Sequence, residues 1–317
     1  MSEIIKKATR DGYGAALVEL AESKPNLVVL DADLAAATKT GAFKKAYPDR
    51  FFDCGIAEGN MMGIAAGLAS TGKIVFASSF AMFAAGRAFE QVRNSIGYPH
   101  LNVKIGATHG GISVGEDGAT HQCCEDFALM RSIPGMVILN PADAVEARHA
   151  VFAAAAWDGP VYLRFGRLAV PVIFDDSYHF EIGKSVRLTE GNDVTIIATG
   201  LMVNEALIAA EALKSENIFA RVINMATIKP LDKQAVIDAA VETGAIVTAE
   251  EHSIFGGLGS AVAEVVCEEK PVPVVRVGVE DTFGKSGPAA ELLKLYGLSS
   301  ENIIKKAKEA IFKKESM

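Results

Sequence analysis

The first half of the chain carries short, almost wholly apolar runs that alternate with segments of helical character. The runs lie at 27–33, 73–79, 102–109, 136–141 and 160–165. Continuous apolar strands separated by helices are typical of a parallel sheet covered on both faces. This pattern restricts the first half of the chain to an α/β fold.

Helices are predicted between these strands. Asp11 precedes a helical pattern over 12–23, Glu58 opens another over 59–70, and residues 83–96 carry an apolar face. Asp143 is placed to cap a fourth helix, because an aspartate before a helix accepts a hydrogen bond from a free N–H group of the first turn.

A second α/β series follows a break in this rhythm. Residues 174–194 are polar and rich in turn-forming types, and apolar runs resume with VTIIATG at 194–200. A chain of 317 residues exceeds what one hydrophobic core usually supports. We therefore predict two successive α/β domains, residues 1–180 and 181–317, each with a mainly parallel sheet covered by helices.

Charge and composition exclude several classes of function. The chain has 31 basic and 39 acidic residues, a net charge of −8, and no basic cluster before its C-terminal end, so we expect no binding to nucleic acid. The N-terminus lacks a signal-peptide pattern, and residues 61–86 read as a buried helix, turn and strand rather than a membrane span. Four cysteines without metal-binding spacing suggest reduced thiols in a cytoplasm.

Ligands of parallel sheets bind in the loops that follow the carboxyl ends of strands. The loop at 108–122, THGGISVGEDGATHQ, contains His109, Asp117 and His121 among glycines that allow close approach to a ligand. Imidazoles beside a carboxylate suit contacts with polyol hydroxyl groups better than a zinc site. A solvated, turn-rich loop is the alternative on these residues alone.

Two further groups are candidates for binding a ring. Glu58 is the single charge between residues 54 and 71, and a buried carboxylate needs a partner or a proton. It interacts either with its own helix N-terminus or with a nitrogen heterocycle. Phe80 and Phe83 serve either as core residues or as faces for stacking.

The segment RFGR ends another strand and offers two guanidinium groups, Arg164 and Arg167, to a phosphate. Either of these arginines is alternatively a solvated surface residue. The glycine-rich segments at 250–264 and 284–287 match known phosphate-binding loops poorly. We interpret both as structural turns.

Together these motifs resemble the transketolase family. The resemblance rests on GIAEGNMMGIAAGLA, SSFAMF, ATHGGISVGEDGATHQ, RFGR and VTAEEHSIFGGLGSAVAE. It covers nearly the whole chain, but only the back half of a full-length transketolase. It implies a pyrimidine-binding domain followed by a transketolase C-terminal domain, with thiamine diphosphate as cofactor.

The resemblance also implies roles for the catalytic candidates. Glu58 would bind N1′ of the aminopyrimidine of thiamine diphosphate, and Phe80 and Phe83 would pack against that ring. His109 and His121 would contact substrate hydroxyl groups and exchange protons with them. These five side chains would form the catalytic and cofactor-binding part of the site.

The remaining candidates would bind the sugar phosphate. Asp117 would select the hydroxyl configuration at C2 of the sugar. Arg167 and Arg10 would bind the phosphate group, and Asp33 would lie near the substrate channel.

The chain departs from the family pattern in three places. Gly86 stands where the family often has a third aromatic residue, and the serine expected after Asp33 is missing, so Thr38 or Lys39 would replace it. The sequence also lacks the Gly-Asp-Gly motif that holds the diphosphate and its Mg²⁺ or Ca²⁺. A separate N-terminal transketolase subunit would supply that metal site, and none is expected in this chain.

The expected activity is the transfer of a two-carbon ketol unit from a ketose phosphate such as xylulose 5-phosphate to an aldose phosphate, a reaction of the pentose phosphate pathway. Two copies of each subunit would form an α2β2 heterotetramer. Three alternatives stay open: a deoxyxylulose-phosphate synthase-like enzyme, a 2-oxoacid dehydrogenase beta-type subunit, and a non-catalytic homologue that binds a partner.

Overall fold

The apolar runs of the first half form the central strands of a seven-stranded sheet. A computed structural model describes residues 5–175 and 177–317. The strands before residue 172 are β1 (Lys6–Ala8), β2 (Leu27–Asp31), β3 (Phe51–Asp53), β4 (Ile74–Phe80), β5 (Val103–Thr108), β6 (Val137–Leu139), β7 (Val161–Phe165) and β8 (Ala169–Pro171). Strands β2, β4, β5 and β7 are buried along their whole length, as expected for a sheet covered on both faces.

Helices cover both faces of this sheet. They are α1 (Thr9–Ser23), α2 (Ala35–Thr38), α3 (Gly41–Ala46), α4 (Glu58–Ser70), α5 (Phe89–Gln91), α6 (Asp126–Arg131) and α7 (Ala144–Ala156). The Asp143 side chain accepts a hydrogen bond from the Glu146 amide, which confirms the predicted cap of α7. The predicted helix over 83–96 is irregular, because π-helical turns at Met82–Arg87 and Val92–Gly97 flank α5.

The second half forms a five-stranded sheet with its own helices. The strands after residue 180 are β9 (Val186–Thr189), β10 (Val194–Ala198), β11 (Ala220–Asn224), β12 (Thr227–Lys229), β13 (Ile246–Ser253) and β14 (Val274–Val279). All of them except β12 belong to this sheet. Its helices are α8 (Met202–Lys214), α9 (Lys233–Glu242), α10 (Leu258–Glu269), α11 (Ala289–Leu295) and α12 (Ser300–Glu315). The sheet order is β14-β13-β10-β11-β9, parallel except that β9 runs antiparallel to β11.

The two units are joined through the larger sheet, whose order is β12-β6-β7-β5-β4-β2-β3. Strand β12 comes from the second half of the chain and pairs antiparallel with β6 of the first half. The other neighbours in this sheet pair in parallel. Both sheets are therefore mainly parallel, as predicted.

The predicted boundary at residue 180 falls between β8 and β9. Residues 1–4 of the predicted first domain, and residue 176 in the polar connection, lie outside the described residues. Over the described ranges, none of the helices is long and apolar enough to cross a membrane.

Candidate active site

Four strands of the large sheet end side by side. The register pairs Asp31 of β2 with Ser78 of β4, Phe80 of β4 with Thr108 of β5, and Thr108 with Phe165 of β7. The loops that follow these four strands therefore start from one edge of the sheet. His109 follows directly after β5 at this edge.

Two phenyl rings and two imidazoles form a cluster beside these strand ends. The Phe80 ring stacks on His109 with 3.8 Å between ring centroids and on Phe83 with 5.9 Å. His121 meets Phe83 edge-on at 5.2 Å. The loop 108–122 and the end of β4 are thus in direct contact, and four of the predicted site residues belong to one cluster.

His109 is buried in a defined protonation state. The Arg10 guanidinium lies 3.0 Å from Nε2 of His109, and the Thr108 hydroxyl lies 2.8 Å from Nδ1. Because a guanidinium only donates hydrogen bonds, Nε2 must accept and Nδ1 must carry the proton. Burial, followed by the charges of Arg10 and Arg167, lowers the pKa of His109 to about 3. The imidazole is therefore neutral, and its Nε2 lone pair is directed at Arg10.

Glu58 is buried at the start of α4 and is paired. Its side chain is 1% exposed, and Arg87 Nη1 lies 2.9 Å from its Oε2. The Arg87 side chain is 53% exposed and its guanidinium covers the Phe83 ring at 4.6 Å. Arg87 therefore connects the buried carboxylate to the aromatic cluster, and Glu58 itself stands in the first turn of α4.

The position of the family's third aromatic residue is filled by another side chain. A Cβ added at Gly86 would overlap the terminal methyl group of Met82. Met82 is flexible and apolar, so its thioether is able to pack against a flat ligand. The contact lies within the π-helical turn at Met82–Arg87, which was not predicted from the sequence.

Basic side chains surround the other end of the cluster. Arg10 Nη1 also donates to the Ala37 carbonyl group at 3.0 Å, and Lys39 pairs with Asp11 at 3.2 Å. Arg167 donates to the Val114 carbonyl group. With Arg10, Lys39 and Arg167 all acting on the charge state of His109, this end of the site is cationic.

The loop after β2 contains Thr38 and Lys39, the two candidates to replace the serine expected after Asp33. The Thr38 hydroxyl is buried and donates to the Asp31 carboxylate at 2.7 Å, and Thr40 does the same at 2.8 Å. The Thr38 hydroxyl is thus bonded within the loop, whereas the Lys39 side chain is 39% exposed and pairs with Asp11.

The two predicted acidic substrate ligands lie at the surface. Asp117 is exposed in the loop that carries His121. Asp33 is exposed after β2 in a left-handed conformation, with φ of 62°, and its amide donates to Asp53. Both are accessible to a ligand.

The prediction that the Arg164 guanidinium is available to a phosphate is wrong. Arg164 is 3% exposed, lies 3.0 Å from Asp126, and donates to the carbonyl groups of Cys123 and Glu251. It is a buried structural group, so Arg167 alone of this pair is available to a phosphate. The N-terminus of α10 is likewise closed to a phosphate, because the Glu250 carboxylate accepts its Leu258 and Gly259 amides.

Across residues 5–175 and 177–317, no group of three or more His, Cys, Asp or Glu side chains is arranged to hold a metal ion. The buried Glu58 carboxylate beside Phe83 does fit an aminopyrimidine, which needs an acid at a ring nitrogen and an aromatic face. Both features are present within the Glu58, Arg87 and Phe83 contacts.

Models of known protein families match both halves of the chain. The model of the transketolase pyrimidine-binding domain matches residues 5–172, and that of the transketolase C-terminal domain matches residues 183–303. Two such α/β domains in this order define a subunit of a thiamine diphosphate-dependent transferase. The fold and the order of the domains therefore indicate the same class of protein.

Individual relatives agree with this assignment. A protein of Methanocaldococcus jannaschii, provisionally named a transketolase C-terminal section, is 52% identical over 98% of each chain. The 6-deoxy-6-sulfo-D-fructose transketolase subunit of a Clostridium species is 46% identical over 96% of this chain and 95% of its own. A solved structure described as a split gene transketolase, inactive beta4 tetramer, superposes with a TM-score of 0.90 at 54% identity, covering 97% of this chain and 99% of its own. The chain belongs to the transketolase family and corresponds to the C-terminal part of a split transketolase.

Proposed function

We propose that this chain is the C-terminal subunit of a transketolase that moves a two-carbon ketol unit from a ketose phosphate, such as xylulose 5-phosphate, to an aldose phosphate. It works with a separate N-terminal subunit in the cytoplasm. The observation that carries the proposal is the single cluster that joins Glu58, through Arg87 and Phe83, to His121 and His109.

The cluster divides into a cofactor end and a substrate end. At the cofactor end, Glu58 holds a proton against N1′ of the aminopyrimidine, and Phe80 and Phe83 contact the ring. Arg87 leaves Glu58 for this contact, which its half-exposed position permits. Thiamine diphosphate, when bound, supplies the carbanion chemistry of the transfer. The N-terminal subunit holds the diphosphate and its Mg²⁺.

At the substrate end, side chains of this subunit contact the sugar. His109 is neutral and its Nε2 accepts a hydrogen bond from Arg10, so a sugar hydroxyl group that takes the place of Arg10 donates to this nitrogen. His121 and the exposed Asp117 contact further hydroxyl groups. Arg10, Arg167 and Lys39 bind the terminal anion.

The proposed assembly contains two copies of each subunit. Helix α4 exposes a face on which a Cβ added at Gly63 or Gly67 would meet open space, with Ile64 38% exposed and Ile56 76% exposed beside it. An apolar face of small residues permits close packing of a second helix. Because the related structure is described as a beta4 tetramer, we assign this face to a second copy of the chain.

The decisive experiment is a coupled assay of transfer from xylulose 5-phosphate to ribose 5-phosphate, with thiamine diphosphate and Mg²⁺. The chain is assayed alone and then with its co-purifying N-terminal partner. Activity in the mixture only is expected. If neither sample is active but pyruvate and glyceraldehyde 3-phosphate are condensed, the synthase-like alternative replaces the proposal.

A further inference from the structure

The C-terminal domain contacts the loop 108–122, here called the substrate loop, through the side chain of Glu251. Glu251, on β13, is 4% exposed, and its Oε1 accepts a hydrogen bond from the Ser113 amide at 2.6 Å. Gly111, at φ +84°, lies so close that a methyl group there would overlap the Glu251 carboxyl group. The loop between His109 and Asp117 is therefore built around this carboxylate.

A second contact ties the end of the same loop to the same domain. The Gln122 side-chain amide donates to the carbonyl groups of Ile112 at 3.1 Å, Gly115 at 3.3 Å and Lys285 at 2.9 Å. Two of these acceptors lie within the loop, and Lys285 belongs to the C-terminal domain. Gln122 thus closes the loop and joins it to that domain.

The position of Glu251 is itself fixed. Arg164 donates to the Glu251 carbonyl group at 2.9 Å and to the Cys123 carbonyl group at 3.0 Å, while Asp126 balances its charge. The strand that carries Glu251 and the segment that follows the loop are held by one guanidinium group. Glu251 has little freedom to follow a displaced loop.

We propose that Glu251 is a positioning residue for the substrate site, which acts through the Ser113 amide to hold the loop that carries His109, Asp117 and His121. The C-terminal domain thereby contributes to recognition of the sugar, although Glu251 itself lies beneath the loop. This inference rests on the proposed function for its kinetic part, but the loop geometry is testable without turnover.

The chain supplies a matched control in the preceding residue. Glu250 is equally buried, at 1% exposure, but its carboxylate accepts the Leu258 and Gly259 amides within its own domain. The two neighbouring glutamates point to opposite sides of β13. Shortening either glutamate would weaken the C-terminal domain in general. Only the shortening of Glu251 would also disturb the substrate loop.

The first measurement is amide hydrogen exchange of the full chain, compared between wild type, Glu251→Asp, Glu251→Gln and Glu250→Asp. Aspartate is too short to reach the Ser113 amide, whereas glutamine keeps an acceptor oxygen. We expect exchange at Ser113 to accelerate at least tenfold in Glu251→Asp, to stay within threefold of wild type in Glu251→Gln, and to be unchanged in Glu250→Asp. Unchanged Ser113 exchange in Glu251→Asp overturns the proposal.

The second measurement uses the complex with the N-terminal subunit. Glu251→Asp should lower kcat/KM for the ketose donor at least tenfold while leaving the apparent affinity for thiamine diphosphate within twofold, because Glu58 and Phe83 lie outside the loop. Equal losses in both quantities, or an equal loss in Glu250→Asp, would reduce Glu251 to a structural residue. A wild-type complex without ketol transfer would instead count against the proposed function, and exchange at Ser113 would still decide the loop contact.

If Glu251→Asp does not fold, Gln122→Asn provides the same comparison from the other side of the interface. Its shortened side chain loses Lys285 and leaves every carboxylate in place. Faster exchange at the Gly115 amide with normal thiamine diphosphate affinity is expected, and wild-type exchange there would contradict the proposed attachment of the loop to the C-terminal domain.

Discussion

Glu58 and Arg87 form an ion pair in which the two partners differ greatly in exposure. Replacing Glu58 with alanine leaves a half-exposed guanidinium that water solvates, so the cost to folding is small. Loss of the proton-holding group should lower turnover of the complex by about 10²- to 10⁴-fold. Steady-state kinetics checks the loss, and unchanged co-elution with the N-terminal subunit checks assembly. Substantial ketol transfer by Glu58→Ala would remove the central claim.

A different effect is expected for substitution of Arg167, because this side chain lies at the cationic end of the site. A hydrogen bond to a charged group contributes about 1.5–3 kcal/mol, and the Arg167 side chain is 39% exposed, which weakens its charge interactions. Arg167→Ala should therefore raise KM for phosphorylated sugars roughly tenfold, with a smaller change in kcat. A ketose donor without a phosphate group is the control, and an unchanged KM for the phosphorylated donor would assign Arg167 to holding the Val114 carbonyl group.

The protonation state of His109 is directly measurable. Its pKa is lowered to about 3 by burial and by Arg10, below the ordinary value of about 6.5. The buried neutral ring therefore favours the folded state above pH 6.5, and this contribution is lost as the pH falls from about 6.5 towards 3. Nitrogen-15 spectra should show the Nδ1–H tautomer unchanged between pH 8 and 5. A titration centred near pH 6.5 would contradict this assignment.

Among the helices, α7 depends on one capping side chain for more than its own first turn. The Asp143 carboxylate is buried and accepts the Glu146 amide at 2.8 Å, the Ile173 amide at 2.6 Å and the Phe174 amide at 2.8 Å. Asp143→Ala should lower the free energy of unfolding by about 3 kcal/mol, because a cap and two amides lose their acceptor. The melting temperature should fall by roughly 5–10 °C.

Ser299→Ala is the control for that substitution. Ser299 caps α12 through one hydrogen bond, in which its Oγ accepts from the Asn302 amide at 3.4 Å. Loss of this hydrogen bond should lower the free energy of unfolding by only about 0.5–1 kcal/mol. Equal melting temperatures of the two variants would show that the contacts of Asp143 to residues 173 and 174 add nothing to stability.

The elements that the sequence predicted best are those whose signal is local. Strands β2, β4, β5 and β7 are largely apolar and buried throughout, and the aspartate before α7 caps it as its type predicts. The π-helical turns around α5 were missed, because their residues have an ordinary helical pattern. Strand β12 was missed as well, since its pairing partner β6 lies far away in the sequence.

The site was predictable in part for the same reason. The apolar pattern locates the strand ends at or after which these aromatic residues lie, and the four rings meet: Phe80, Phe83, His109 and His121. Arg87 was overlooked because only the fold brings it to Glu58, 29 positions earlier. Glu251 was overlooked because its contact with Ser113 spans 138 positions. Nothing in the local composition marks either contact.

At the scale of the molecule, the two domains share one core. A continuous cluster of buried side chains includes Met61 and Ala65 of α4, Ile223 of β11 and Leu258 of α10. Together with the β12–β6 pairing, this contact makes the domains one cooperative unit with the substrate loop between them. The outer face of α4, which carries the exposed Ile64, lies outside this shared core.

The final prediction concerns that face. Ile64 lies on it beside Gly63 and Gly67 and is 38% exposed. Ile64→Asp should lower the mass of the isolated chain in solution, measured by light scattering, because a carboxylate cannot be desolvated against a second apolar helix without a partner. Ile208→Asp, at 48% exposure on α8, introduces the same charge on the other domain and should leave the mass unchanged. If both variants keep the wild-type mass, or both lose it, α4 does not form the contact between copies.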